Sequence, residues 1–452
     1  MSSEVQERKE MSLRAFKPYP KYKDSGVEWL GKIPTHWEAK RLKRLFKVVN
    51  GSTPRSEQPS YWDGDIPWVT PDDLGELTSR ELLEPRRYIT EDGYRSCGTS
   101  MVPSGSLVLS TRAPIGHLTI AGVNLCTNQG CRSLVFRKDH NRYFFYYLLF
   151  AAHSELESWG QGSTFKELAK SKLEYISLVD LPLDEQLAIV SFLDRETAKI
   201  DALISKRERL IELLQEKRAA MISQAVAKGL DPNVPMKDSG VDWLEEIPAH
   251  WEVKRLKNIV HLNPEVLPET TDSDYLMQYI DITNVDEVSG VNPPDEMPFD
   301  NAPSRARRIV RPGDTILSTV RTYLKAAAYF ENPPDNLIVS TGFAVLRPDI
   351  GIYPPYIFAL VRCQPFIESV VSNSVGVAYP AISPSELAAL PVWVPPDVEE
   401  QKIIVEYLER ERAKIDSLIV NIREGIDRLR EYRTALISAA VTGKINVRGE
   451  TT

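Results

Sequence analysis

Cysteine is scarce in this sequence: Cys97, Cys126, Cys131 and Cys363 are the only four among 452 residues. Cys126 and Cys131 have no companion pair, so neither a disulfide framework nor a zinc-binding spacing is present. This excludes a disulfide-stapled secreted scaffold, and a reducing interior is expected. Long apolar runs are also lacking. The longest, Tyr143 to Ala152, covers ten residues, half of the ~20 that a membrane-spanning helix needs. The opening MSSEVQERKE is polar, with no apolar core. No secretory signal is therefore expected, the expected location is the cytoplasm, and no membrane is expected as a partner. Positive charge is not in excess either. Lys plus Arg total 55 against 63 Asp plus Glu, a net charge of −8. Nucleic-acid binders carry a basic footprint, so any polyanion-binding face here must be local or supplied by a partner. Finally, no GxGxxG or GxxxxGK[ST] pattern occurs, which removes the usual footholds for dinucleotides and nucleotides.

What is present is a globular composition, 42% hydrophobic and 26% charged, in a chain long enough for two or three domains. It is built by duplication. KDSGVEWLGKIPTHWEAKRLKRL (23–45) recurs as KDSGVDWLEEIPAHWEVKRLKNI (237–259), with 16 of 23 positions identical at an offset of 214. QLAIVSFLDRETAKIDALI (186–204) recurs as QKIIVEYLERERAKIDSLI (401–419), with 12 of 19 identical at an offset of 215. Each repeat is already domain-sized. Between these anchors the halves diverge. VPSGSLVLSTRAPIGHLTIAG (102–122) echoes VRPGDTILSTVRTYLKAAAYF (310–330) only in a glycine and an LST tripeptide. Loop drift explains this, and so do two like scaffolds carrying two different reading heads.

Residues 184–228 and 399–443 contain no proline and are rich in Leu, Ile, Glu, Lys, Arg and Ala, which predicts two long helices. Leu193, Ile200, Leu203, Leu210, Leu214 and Met221 recur at heptad-like spacings. Leu408, Ile415, Leu418, Leu429 and Leu436 repeat the seam, with Gly425 standing at the equivalent of Leu210. A seam sustained this long predicts a coiled coil. The alternative is an amphipathic helix lying on its own domain. Length disfavours it, since ~44 residues at 1.5 Å each reach ~65 Å. Two similar halves in one chain tend to associate with two-fold symmetry, which makes the helices antiparallel.

The globular parts read as mixed α+β. In the first, 106–111 and 117–122 predict paired strands around the loop Arg112–Gly116, 142–158 a buried helix, and 173–182 a strand. In the second, 314–320 predicts a strand, 356–372 a helix and 387–395 a strand. No catalytic centre emerges. His36 and His250 recur, each followed by Trp, and are expected to be a packing corner. Asn292-Pro-Pro-Asp295 and Asn332-Pro-Pro-Asp335 have Asp where a methyltransferase motif has an aromatic, so they read as turns. Asp397 with Glu400-Gln401-Lys402 is too tight for a nuclease pattern.

Basic residues nevertheless cluster locally. Lys40, Arg41, Lys43, Arg44 and Lys47 crowd one segment, Arg86–Arg87 form a smaller patch, and Arg305, Arg307, Arg308 and Arg311 form another. Solvated faces and phosphate contacts both fit such runs. The loops after the LST tripeptides are more specific. They carry Arg112 in the first half and Arg321, Tyr323 and Lys325 in the second, and an arginine there could pair with guanine.

SGVEWLGKIPTHWEAKRL and SGVDWLEEIPAHWEVKRL resemble the opening of the target-recognition domains in Type I restriction–modification specificity subunits. EQLAIVSFLDRETAKIDALI and EQKIIVEYLERERAKIDSLI resemble that family's helical spacers. The resemblance covers about residues 20 to 445. It implies an α+β fold class: two mixed α/β target-recognition domains separated by two long helices in an antiparallel coiled coil, with internal pseudo-two-fold symmetry. It implies a non-catalytic subunit that binds no cofactor, each domain reading one half of a bipartite site in double-stranded DNA. The implied partners are two modification subunits, which methylate adenine with S-adenosylmethionine, and restriction subunits that use ATP and Mg. Domain limits are expected at 1–20 (polar tail), 21–183, 184–228 (helix), 229–236 (linker), 237–396, 397–444 (helix) and 445–452 (tail). Residue by residue, the family's strand ending in Ser/Thr before a basic loop matches Ser110, Thr111 and Arg112, then Ser318, Thr319 and Arg321. Its Gly-Ser-Thr loop matches Gly162, Ser163 and Thr164, with Lys166 nearby, whereas the second half departs there with Gly376-Val377-Ala378-Tyr379. The competing readings are a single-chain DNA-processing enzyme, which would need the missing motifs, and a coiled-coil adaptor without sequence readout.

Overall fold

The computed structural model describes residues 16–449 apart from 78, 113, 162–165, 242, 287–289 and 377–378. Two helices dominate the element order, Leu183–Lys228 and Val398–Val441. By contact density the chain divides inside them. One unit comprises residues up to Arg207 with those from Glu424 onward, and the other comprises Glu208–Arg423. Each unit therefore owns one head, the start of the helix that follows it, and the end of the other helix.

Within each unit the two helical segments run antiparallel. In the first, Arg433 donates to Asp201 through Nε at 2.9 Å and Nη2 at 3.3 Å. In the second, Arg218 donates to Asp416 at 3.0 Å. At the repeat offset of 215, Asp201 corresponds to Asp416 and Arg218 to Arg433, so one ion pair is made twice with the helices exchanged. These pairs are partly solvated and worth at most ~1 kcal/mol each, which makes them register marks more than sources of stability.

Apolar burial does the holding, along a seam that differs in part from the expected one. Leu193, Ile200, Leu408, Ile415 and Leu436 are buried, and Leu214, Met221 and Leu429 are half-buried. Leu203, Leu210 and Leu418 are exposed, and their neighbours Ile204 and Ile419 are buried instead. The sequence places apolar residues side by side at 203–204, 210–211 and 418–419. An unbroken alternation of 3 and 4 from Leu193 runs through Thr197, Ile200 and Ile204, and only that run keeps one face inward.

In the first head, a five-stranded sheet has the order Phe46–Asn50, Cys131–Phe136, Leu107–Ser110, Leu118–Ala121 and Glu81–Leu82. Leu107–Ser110 lies in the middle and all four residues are buried, as expected for a strand covered on both faces. It pairs antiparallel with Leu118–Ala121, Leu107 opposite Ile120. The helix Arg142–Ala151 is started by Asn141, whose Oδ1 accepts from the backbone N–H of Tyr143 and Phe144. A second helix, His153–Ser158, completes the expected helical stretch. A smaller sheet orders Cys126–Thr127, Trp62–Val69 and Arg87–Ile89.

The second head repeats this plan. One four-stranded sheet orders Val260–Leu262, Phe343–Pro348, Thr315–Ser318 and Ala327–Tyr329. Another orders Asp295–Pro298, Leu276–Ile280, Leu337–Ser340 and Ala306–Ile309. The expected single helix of 356–372 is two, Pro354–Val361 and Gln364–Ser372, because Pro365 opens the second. In each head a strand just before the long helix pairs with the strand after the repeated tryptophan, Trp37 or Trp251: Ser177–Asp180 with Glu38–Arg41, and Pro391–Val394 with Glu252–Arg255.

The repeated His-Trp corner has a definite task. His36 Nε2 lies 2.8 Å from Glu185 Oε2, and Tyr19 donates to Glu185 Oε1 at 2.7 Å. His250 lies 2.9 Å from Glu400, which also accepts from Trp251 Nε1 at 2.9 Å. Each following glutamine is buried and tied to backbone groups: Gln186 to Asn141 and Leu181, Gln401 to Tyr353, Gly351 and Pro395. The repeated Glu-Gln therefore bolts each head to the first turn of its helix.

Described residues from the two ends of the sequence pack together in the first unit. Tyr19, Ile445 and Val447 are buried, and Asn446 N donates to Lys17 O at 2.8 Å. The two Asn-Pro-Pro turns, at 292–294 and 332–334, line one shallow cleft with Tyr329 and Phe330. Burial pushes the thiols of Cys126 and Cys363 up to about 12, and that of Cys131 up as well, so these cysteines are packing groups. No group of His, Cys, Asp and Glu among the described residues is arranged to hold a metal ion, and no helix among them is long and apolar enough to cross a membrane.

Candidate nucleic-acid interface

In the first head the central strand Leu107–Ser110 delivers the chain to a cluster of loops at one end of the sheet. Ser110 shapes the following loop from inside: its Oγ donates to Pro114 O and accepts from His117 N, both at 2.8 Å. Thr111 is fully buried and donates through N and Oγ1 to Gly130 O at 2.8 and 3.2 Å. Leu168 N donates to Thr111 O, and Arg112 bridges to Glu167, which bridges to Gln161. A further loop closes on the cluster at Gly51, where any Cβ would collide with the backbone of Thr127 and Asn128. Thr53 and Gln129 are hydrogen-bonded across this junction.

Charge is concentrated here. Arg112 Nε donates to Glu167 Oε2 at 3.2 Å, and Arg132 Nη2 reaches Glu167 Oε1 at 3.4 Å. Arg132 is buried, its Nη1 donating to Gln129 O and Cys131 O at 2.7 and 3.0 Å, while its Nε has no partner. Burial lowers the pKa of its guanidinium, Glu167 opposes that shift, and Arg112 adds to it. Arg112 and Lys166 are exposed. Glu167 thus sits between a buried arginine that fixes it and an exposed arginine that it aims.

In the second head Thr319 makes the same bonds, its N and Oγ1 donating to Gly342 O at 2.8 and 2.9 Å, and Ile382 N donates to Thr319 O. The bridges are Val320 to Ala381 and Val375 to Ala381. Val320, not Arg321, therefore occupies the place of Arg112. Arg321 follows in a left-handed conformation with φ 51°, then a short turn Thr322–Leu324, then Lys325 with φ 52°. The Arg321 guanidinium lies 4.9 Å from the centre of the Tyr379 ring. Thr322 Oγ1 and Ser374 Oγ are 2.9 Å apart, joining the two loops.

The other expected contacts are placed differently. Thr111 is buried, with its hydroxyl bonded to Gly130 O. Lys43 and Arg44 precede Phe46, which pairs with Phe136, whereas Asn50 at the loop end pairs with Arg132. They therefore lie about one strand length, ~13 Å, from the loop cluster, and Lys43 rests on the Tyr175 ring. Arg307 stacks on Phe299 at 4.6 Å, and Arg308 is half-buried, with its Nη1 unpartnered and its pKa lowered by burial. Arg311 is paired with Glu265. Arg305 is the member of that run beside the loops, its carbonyl accepting from Thr341 N at 2.8 Å. Gly162, Ser163 and Thr164 lie outside the described residues, as do Val377 and Ala378 between Gly376 and Tyr379. Arg132, Gln129 and Glu167 belong to none of the basic runs or repeated motifs, although a lone arginine inside the apolar strand CRSLVF is a usable signal.

Two heads of one plan, each ending its central strand in a loop cluster and each bolted to a helix, define a duplicated two-site recognition module. Residues 34–213 and 248–427 both match the family described as Type I restriction modification DNA specificity domain, and the chain belongs to that family. It is 36% identical over 235 residues to the MjaIX specificity subunit of Methanocaldococcus jannaschii, covering 51% of this chain and 53% of that one. It is 23% identical over 422 residues to the EcoBI specificity subunit of Escherichia coli, covering 89% and 80%. The chain spans about half the length of the first curated relatives it matches, 53% and 43%. Among solved structures it is similar to a chain of a type I R-M system, with a TM-score of 0.61 and 17% identity over 90% of this chain and 98% of that one. It is also similar to the HsdS subunit of Thermoanaerobacter tengcongensis, with a TM-score of 0.51 and 16% identity over 91% and 98%. These two likenesses establish the fold.

Proposed function

We propose that this chain is the sequence-reading subunit of a Type I restriction–modification complex. Each head reads one half of a bipartite DNA site, the long helices set the gap and dock two modification subunits, and restriction subunits join the assembly. The chain itself is non-catalytic. S-adenosylmethionine, ATP and Mg belong to the partners, and the complex works in the cytoplasm. The observation that carries this reading is the double occurrence of one loop cluster, built on equivalent Thr–Gly bonds, within a chain of the specificity-domain family. The acidic total of −8 fits a division of labour in which the modification subunits neutralise much of the phosphate charge and this chain reads bases. Methylome sequencing of a host with and without this chain, each with its modification subunit, tests the proposal. A bipartite adenine-methylation motif that appears only when both are present is the expected result. Methylation by the modification subunit alone at the same sites overturns it.

A further inference from the structure

The two loop clusters share a backbone plan but not a chemistry. Where the first head bridges Arg112, Gln161 and Glu167, the second bridges Val320, Val375 and Ala381. No charge and no side-chain hydrogen-bonding group remains at those three positions. Around them the second head also exposes large apolar side chains: Val375 is 75% accessible, Tyr379 65%, Tyr323 53% and Leu324 42%. Tyr323 and Leu324 are held out by design. Their turn is bracketed by two left-handed non-glycine residues, Arg321 and Lys325. Such backbone persists only where its surroundings enforce it, and it gathers at functional sites. The enforcing contact is Thr322, which is buried and bonded to Ser374 on the neighbouring loop.

Cations flank this apolar surface. Arg321 lies over Tyr379 and Lys325 closes the turn. An apolar patch between cations is complementary to a surface that is anionic at its borders and apolar at one spot. On duplex DNA the phosphates supply the border. The only apolar group that base edges present in the major groove is the C5-methyl of thymine. We propose that the second head reads thymine in its half-site by contact of Val375, Tyr323 and Leu324 with C5-methyl groups, with Arg321 and Lys325 on the adjacent phosphates. The first head reads by charged hydrogen bonds through Arg112. The two heads thus use different alphabets on one scaffold. This inference rests on the DNA-reading function proposed above.

The test uses the full chain in complex with its modification subunit. Two randomised duplex libraries are selected for binding, one containing thymine and one containing uracil throughout, which pairs identically but lacks the methyl group. The thymine library is expected to yield two half-sites. In the uracil library one half-site should lose about fourfold in enrichment per thymine, the worth of one buried methylene, while the other is retained. Photocrosslinking of duplexes carrying 5-iodouracil, whose iodine occupies the methyl position, assigns the sensitive half: the recovered peptide should contain Tyr323 or Tyr379. Val375→Asn, at a position too exposed to disturb folding, should lose part of the enrichment on thymine DNA and narrow the difference between libraries. Equal selection from both libraries, equal loss in both halves, or crosslinks confined to the first head overturns the inference while the DNA-reading function stands. Failure to select any sequence from the thymine library overturns both.

Discussion

Glu185 and Glu400 perform the same bolting in the two repeats, but the structure predicts different consequences of removing them. The Glu185 carboxylate is 3% exposed and accepts from the Tyr19 hydroxyl and His36. Tyr19 is itself buried, 2% exposed, and burial followed by its bond to Glu185 raises its pKa far above the usual phenol range. In Glu185→Ala the Tyr19 hydroxyl loses its acceptor where water has little access, a cost of ~1–3 kcal/mol, with a further fraction from the lost charge-assisted bond. His36 is 40% exposed and can turn to solvent at almost no cost. The expected total is ~2–3 kcal/mol, or roughly 30- to 150-fold more frequent opening, at 1.36 kcal/mol per tenfold. Trp251 is itself fully buried, but Glu400 is 30% exposed, so in Glu400→Ala the vacated space opens to water that can accept from the Trp251 N–H, and the cost falls to ~1 kcal/mol, about fivefold. Hydrogen exchange read by mass spectrometry separates the two. Faster exchange is expected for peptides at 16–24 and 183–193 in the first variant, and only slightly faster exchange around 398–408 in the second. Equal effects, or no acceleration in Glu185→Ala, would show that the corner packs without bearing load.

Three further outcomes are expected. Arg112→Ala should relax recognition in one half-site only, by ~1–3 kcal/mol of discrimination, measured against DNA libraries randomised in one half at a time; even weakening across all sequences would make Arg112 a phosphate contact. At pH 8 iodoacetamide should label Cys97, which is half-buried, and leave Cys126, Cys131 and Cys363 untouched in the folded chain, since burial keeps their thiols protonated; mass spectrometry of the digest reads this directly, and labelling of Cys363 in the native protein would contradict the packing described. A heptad inserted after Lys206 and another after Asn421 preserves the seam and adds ~10 Å to each helix, so the methylome should show the same half-sites with a gap about three base pairs longer; an unchanged gap would mean the helices do not measure DNA.

Much of the architecture was legible because duplication doubles every signal. The paired strands around Arg112–Gly116, the helix after Asn141 and both long helices follow from periodicity and capping, which act locally. The seam was legible only to within one residue. Leu203 and Ile204 are equally apolar, and the choice between them is made by a partner helix hundreds of residues away. In sequence the Glu-Gln bolts look like part of a helical spacer, because a charged residue in a first helical turn is ordinary; the burial of Glu185 depends on Tyr19 and His36, far off in sequence. The interface was half legible. The strand-to-loop position of Arg112 could be read from the LST tripeptide, but register in the second head is set by the Thr319–Gly342 bond and puts Val320 there instead. The intramolecular partners of the basic runs were not legible: Lys43 stacks on Tyr175, Arg307 on Phe299 and Arg311 pairs with Glu265, contacts made across long sequence separations that a run of cations does not announce.

The bond between Asn446 and Lys17 has a consequence for how such a chain can be strung. At the repeat's offset of 214 these residues correspond to Pro232 and Asp231, which are covalent neighbours in the linker. Gly443 and Gly229, equivalent at the same offset, both turn left-handed at a helix end, with φ 72° and 71°. The second repeat therefore makes through a peptide bond the junction that the first makes through a hydrogen bond. The same helix-to-head joint is thus crossed by a peptide bond in one place and held by a hydrogen bond in the other, so its packing forms without a covalent link across it.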